Sequence, residues 1–108
     1  MYKVTYLPLA ESDLLEAVEY IAHKLNAPQA ARALLDEFDL TVSRIAEFPY
    51  AFELYRTDRP MHDEIRKAPV KNYILYYAVF RDRVEIRRFI HTRRDRREEL
   101  VYNQNKTL

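Results

Sequence analysis

The chain has no glycine in its 108 residues, where average usage would place about eight. This absence restricts the backbone more than any motif that is present. Glycine is the residue that enters left-handed conformations freely and lets a ligand approach the main chain without a Cβ in the way. Glycine-rich phosphate cradles and dinucleotide-binding turns need that freedom, so P-loop and Rossmann sites are excluded. Any phosphate must be held by side chains. Cysteine is also absent, which removes disulfides, thiolate metal sites and cysteine nucleophiles and fits a reducing compartment.

The length is that of one domain over residues 1–108, with a single modest core. Hydrophobic content of 48% and charged content of 32% read as a soluble globular chain. No apolar run approaches the roughly 20 residues of a membrane span. The N-terminus, MYKVTYLPLAESDLLEA, has no signal-peptide core. A cytoplasmic protein without membrane association is expected.

The prolines Pro8, Pro28, Pro49, Pro60 and Pro69 mark the joints. Residues 2–7 alternate and predict a first strand. From Pro8 the period changes: Leu14, Val18, Ile21, Ala22 and Leu25 recur three or four apart, with Glu11, Asp13, Glu16 and Glu19 at the remaining positions, as in an amphipathic helix ending near Asn26. Pro28 opens a second helix whose apolar face is Ala31, Leu34, Leu35, Phe38, Val42 and Ile45, closed by Phe48-Pro49. The short link makes the two an antiparallel hairpin. Residues 61–68 have little strand signal, whereas 72–80 (NYILYYAVF) are apolar at both parities, as in a central strand. Arg81-Asp82 turns into a last strand, 84–91, with Val84, Ile86, Arg88 and Ile90 on one face and Glu85, Arg87, Phe89 and His91 on the other.

The fold class is therefore α+β in the order β-α-α-β-β-β, a helical hairpin on one face of a small antiparallel sheet, with a possible short C-terminal helix. The expected core joins Leu14, Val18, Ile21, Leu34, Phe38 and Val42 to Leu75, Tyr77, Val79 and Ile86. The opposite sheet face is left for function.

Charge is strongly polarised along the chain. Residues 65–97 carry eleven Lys/Arg against three Asp/Glu, about +8, whereas residues 1–64 carry about −6, so the net +1 hides a dipolar protein. A basic sheet beside acidic helices suggests a polyanion or an acidic partner on one side. The candidate binding residues are Arg66, Lys71, Arg87, Arg88, His91, Arg93 and Tyr102. His91 reads as a partly buried, hydrogen-bonded residue of the last strand; His23 and His62 read as surface residues. Three isolated histidines make no metal site, and no cofactor is implied.

Residues 84–95, VEIRRFIHTRRD, resemble the closing strand of the RelE/ParE toxins of bacterial type II toxin-antitoxin modules, with Arg88, His91, Arg94 and Asp95 matching the family pattern. Residues 69–77 (PVKNYILYY) are similar to the preceding strand. The opening of the first helix, Leu9-Ala10-Glu11-x-Asp13-Leu14, and Phe48-Pro49 after the second match as well. The resemblance covers roughly residues 2–100. It implies a growth-arresting toxin and a cognate antitoxin whose acidic, partly disordered segment folds onto it.

The resemblance leaves two targets open. RelE-like members cut messenger RNA on the ribosome by metal-independent attack of a ribose 2′-hydroxyl on the adjacent phosphate, with cations stabilising the pentavalent charge. On that branch Lys67 and Arg94 stand at the catalytic lysine and arginine, with Arg66 and Lys71 as the neighbouring cations of Lys67. Ile74, however, stands where an arginine is usual and Leu100 where a tyrosine is usual, with Tyr102 two residues on. ParE-like members resemble inhibitors of DNA gyrase that have no active site of their own. The ending His91-x-x-Arg94-Asp95 is nearer to this branch, with Thr92 in place of its usual glycine. A third possibility is an inactive member that only binds its antitoxin.

Overall fold

The computed structural model describes residues 1–56 and 62–93. The expected Arg94, Leu100 and Tyr102 and the suggested C-terminal helix lie outside them. The elements are β1 (Lys3–Tyr6), α1 (Pro8–Glu19), α2 (Pro28–Glu47), β2 (Arg66–Val70), β3 (Tyr73–Val79) and β4 (Arg83–His91). The α+β order is the expected one. The four strands lie in the order β1-β4-β3-β2. The sheet is antiparallel through β2, β3 and β4, but β1 runs parallel to β4, which makes it mixed and corrects the all-antiparallel expectation. The helical hairpin returns the chain to the end where β1 begins, with Tyr2 N–H on the Ala46 carbonyl, so β2, and through the antiparallel β2-β3-β4 run also β4, is parallel to β1.

Both helices begin on proline at a first-turn position, where the missing N–H costs nothing. Between them α1 widens into a π-helical turn, Tyr20–Lys24, in which Leu25 N–H donates to the Tyr20 carbonyl. Asn26 then takes φ 50°, the left-handed residue that ends the helix where glycine is usual. Lys71 takes φ 54° in the two-residue β2–β3 turn. The β3–β4 reversal through Arg81-Asp82 is tight, with Phe80 N–H donating to the Arg83 carbonyl.

The helix-side core joins Leu34, Phe38 and Ile45 of α2 to Ala68, Val70, Leu75, Tyr77, Val84, Ile86 and Phe89 of the sheet. Phe38 meets Phe89 edge-on at 5.0 Å. α1 contributes only small apolar residues to the fully buried set, Ala10 and Ala17. The expected Leu14, Ile21 and Val42 pack around the margin of this core.

A second cluster occupies the other face, contrary to the expectation of an open surface there: Ile65, Tyr76, Ala78 and Ile90 are buried together, flanked by Tyr55, Ile74 and Phe80. The polypeptide after α2 reaches this face by running along β2, with Tyr55 N–H on the Ile65 carbonyl and Lys67 N–H on the Glu53 carbonyl. That pairing supplies the long-range support that the weak strand signal of residues 61–68 lacked.

A register change in β4 decides which of the two clusters its last residues join. Tyr77 faces Ile86 but Tyr76 faces Arg88, which leaves Arg87 as the extra residue of a β-bulge. Simple alternation would put Phe89 opposite to Val84 and Ile86. The bulge instead brings Phe89 into their cluster and turns Ile90 to the other.

Two measurements test this core. Phe38→Ala should lower folding stability by about 3–5 kcal/mol, read from denaturant unfolding; a loss below about 1 kcal/mol would place Phe38 outside the core. Tyr77 donates its hydroxyl to the Pro49 carbonyl at 2.6 Å, and burial, opposed by Arg66, pushes that hydroxyl up to about 12. The unfolded chain releases this proton near pH 10 while the native state keeps it. The contribution is complete below pH 10 and is lost between about 10 and 12; Tyr77→Phe should flatten that part of an alkaline unfolding profile.

Candidate functional site

Three arginines of the basic last third, Arg83, Arg87 and Arg88, are paired with carboxylates. Arg88 and Arg87 are only 7% and 6% exposed, and Asp13 is 8% exposed. Arg88 donates from Nε to Asp13 Oδ2 at 2.6 Å and from Nη2 to Oδ1 at 2.9 Å, a bidentate pair. Asp13 Oδ2 also accepts the Phe89 backbone N–H at 3.0 Å. Arg87 donates to Asp63 at 2.7 Å, and its Nε lies 2.9 Å from Glu85. Arg87 thereby ties the segment before β2 to the bulge. These two arginines are removed from the open basic surface expected of them, because a buried charge is tolerated only when matched nearby.

Helical spacing of the large apolar residues places Asp13 on the solvent side of α1 with Glu11 and Glu16. It lies instead on the buried stripe with Ala10 and Ala17, three residues after the first and four before the second, on one helix face. The signal was a carboxylate at alanine spacing, with small neighbours that let α1 approach β4 closely.

The remaining candidates are spread over both faces. Arg66 donates to the Phe52 carbonyl at 2.8 Å and lies over the Tyr50 ring at 5.1 Å. Lys67 is half-buried and stands opposite Tyr76, on the face away from the helices. Lys71 is exposed at the β2–β3 turn. His91 ends β4 opposite Tyr73, on the helix side, and Arg93 is exposed just beyond. From strand geometry Lys67 and His91 are roughly 14 Å apart, two strands over and three residues along. Among the described residues no group of three or more His, Asp or Glu could hold a metal ion, and no helix is long and apolar enough to cross a membrane.

His91 and Arg93 belong to a cleft of about 490 Å³ between α1 and the end of the sheet, lined also by Asp13, Glu16, Ala17, Tyr20, Tyr73 and Phe89. Tyr73 stacks on Phe89 at 4.9 Å and meets the His91 ring edge-on at 5.0 Å. His91 Nδ1 accepts the Arg93 backbone N–H at 3.2 Å, which holds the imidazole against the turn. Burial, with Tyr20 adding a smaller effect, raises the Tyr73 pKa. The phenol stays a neutral hydrogen-bonding group at neutral pH. Tyr20 reaches this cleft from the π-helical turn, a local widening that is frequent at functional sites. Among the described residues the cleft has an aromatic wall of Tyr73, Phe89 and His91, with an exposed guanidinium, Arg93, and an exposed carboxylate, Glu16.

The fold and this cleft define a small α+β protein with a helical hairpin laid across a four-stranded sheet. Residues 4–96 match the family described as ParE toxin of type II toxin-antitoxin system, parDE, and the chain belongs to that family. Among solved structures, a chain of the chromosomal ParDE TA system from P. aeruginosa superposes with a TM-score of 0.67, over 84% of this chain and 96% of that one, at 14% identity. The likeness at that identity is one of fold. No curated protein sequence matches the chain.

Asp13→Ala should cost about 3–5 kcal/mol by stranding the Arg88 charge and the Phe89 N–H. Chemical unfolding beside the wild type measures this, and a loss within about 0.5 kcal/mol, typical of surface sites, would contradict the buried pair.

Proposed function

We propose that this toxin arrests growth by binding DNA gyrase, and that a cognate antitoxin holds it inactive until it is released. The dispersal of the cations among the described residues carries the reading. A ribonuclease needs several positive groups and a proton-transferring group around one scissile phosphate. Here Lys67 faces away from the helices, His91 and Arg93 line the cleft on the helix side, and Arg87 and Arg88 are matched by Asp63, Glu85 and Asp13. Ile74, where the resemblance to RelE-like nucleases calls for an arginine, packs against the second apolar cluster. Inhibition by binding requires only a shaped surface. The cleft supplies one, with Tyr73 and His91 packed edge to face, Tyr20 exposed at its side and Arg93 as an exposed cation.

The antitoxin would act by covering that surface. Its acidic segment, expected from the family resemblance, would meet Arg93 and Lys71, so association should weaken as salt rises.

The test is a gyrase supercoiling assay with purified toxin, run beside cleavage of ribosome-bound messenger RNA. Supercoiling should be inhibited with cleaved DNA accumulating, and the messenger should remain intact. Arg93→Ala should weaken inhibition about tenfold, the worth of one charge-assisted contact. Messenger cleavage without gyrase inhibition would overturn the proposal in favour of the nuclease. Neither effect, with antitoxin binding retained, would identify a member that only binds its antitoxin.

A further inference from the structure

The pair of Asp13 and Arg88 sits where the sheet changes character. β1 accompanies β4 only as far as Tyr6 opposite Ile86, and Leu7 N–H makes the last bond of that ladder, to the Ile86 carbonyl. Past this point β4 runs on to His91 through the bulge at Arg87. The Phe89 N–H is met by the Asp13 carboxylate of α1, which takes the part that a carbonyl of a longer β1 would have played. Arg88 grips both carboxylate oxygens, so the acceptor is held in direction as well as in place.

From that point the two walls of the cleft diverge. Ala17 and Tyr20 follow Asp13 at four and seven residues along the helix, on the same side. Phe89, His91 and Arg93 follow Arg88 along the strand and the turn after it. All of these line the cleft. We propose that Asp13 and Arg88 are positioning residues, which set the angle between α1 and the end of β4 and so place Tyr20, His91 and Arg93 for the toxin's target. The inference rests on the reading of the cleft as the target-contacting surface. A buried ion pair is seldom the most stable way to fill such a site, since apolar replacements are often as stable. What an apolar pair cannot reproduce is the fixed direction of a bidentate bridge and the acceptor for Phe89.

The experiment separates stability from placement. The full chain is prepared as wild type, as the double variant Asp13→Leu with Arg88→Met, and as Arg88→Lys, which keeps the charge but not the planar fork. Each is measured for thermal unfolding, backbone amide NMR at Phe89 and His91, growth arrest on expression, and gyrase inhibition. The double variant should melt near the wild type, yet its Phe89 amide should exchange faster, the His91 amide should shift, and potency should fall roughly tenfold, as expected when coupling between sites is lost. Arg88→Lys should change the same signals in the same direction, and it carries the test if the double variant fails to fold. Full potency with unshifted amides in a stable variant would overturn the proposal and leave the pair a purely structural one. If wild type arrests growth without inhibiting gyrase, the target reading fails, and the positioning role is still judged from arrest and the amide signals. If wild type does neither, the amide signals alone decide it: unshifted amides in a stable variant refute the role.

Discussion

A single carboxylate organises the junction between the helices and the sheet. Asp13 receives three hydrogen bonds from two consecutive residues of β4, two from the Arg88 side chain and one from the Phe89 backbone. Removing a carboxylate and a guanidinium from water costs several kcal/mol per ion. The cost is offset only because the bridge is bidentate and the carboxylate also serves a main-chain donor. The same contact explains why α1 can lie so close to β4: its buried stripe is Ala10, Asp13 and Ala17, with no large side chain to hold the helix away.

The bulge at Arg87 is the second half of this junction. It lets one strand serve two cores, with Val84, Ile86 and Phe89 beneath the helices and Ile90 in the cluster behind. Arg87 is anchored to Asp63 and Glu85 and lies 5.9 Å from the Phe80 ring centre. The segment that follows α2 is thereby pinned over the rear face. The chain manages these bends without glycine, placing Asn26 and Lys71 in the left-handed region instead. Asparagine takes that conformation readily, whereas for lysine it costs roughly 1–2 kcal/mol; the β2–β3 ladder on either side of Lys71 offsets it.

Along the sequence the last third appears as a basic surface, but in three dimensions its central arginines neutralise acids of α1, of the segment before β2 and of β4 itself. Among the described residues, Lys71 at the β2–β3 turn and Arg93 past the last strand stay exposed.

Much of this was legible in the chain itself. The change from period two to period three or four, and the prolines at helix starts, determined the element order and both helices to within a few residues. The motif series spanning the last two strands was enough to indicate the toxin family. The alternation of residues 84–91 could not reveal the bulge, because an extra residue is specified by the partner strand and not by the strand that carries it. The spacing of the large apolar residues did not show that Asp13 points inward while Glu11 and Glu16 face water; its spacing from Ala10 and Ala17 was the one local sign, and its match, Arg88, lies 75 residues later. The local pattern determined which residues form helices and strands, since propensity and periodicity act over a few residues. Which charges are buried, which face each β4 side chain takes, and which residues line the cleft were decided by pairing between distant segments, where desolvation and hydrogen-bond geometry act.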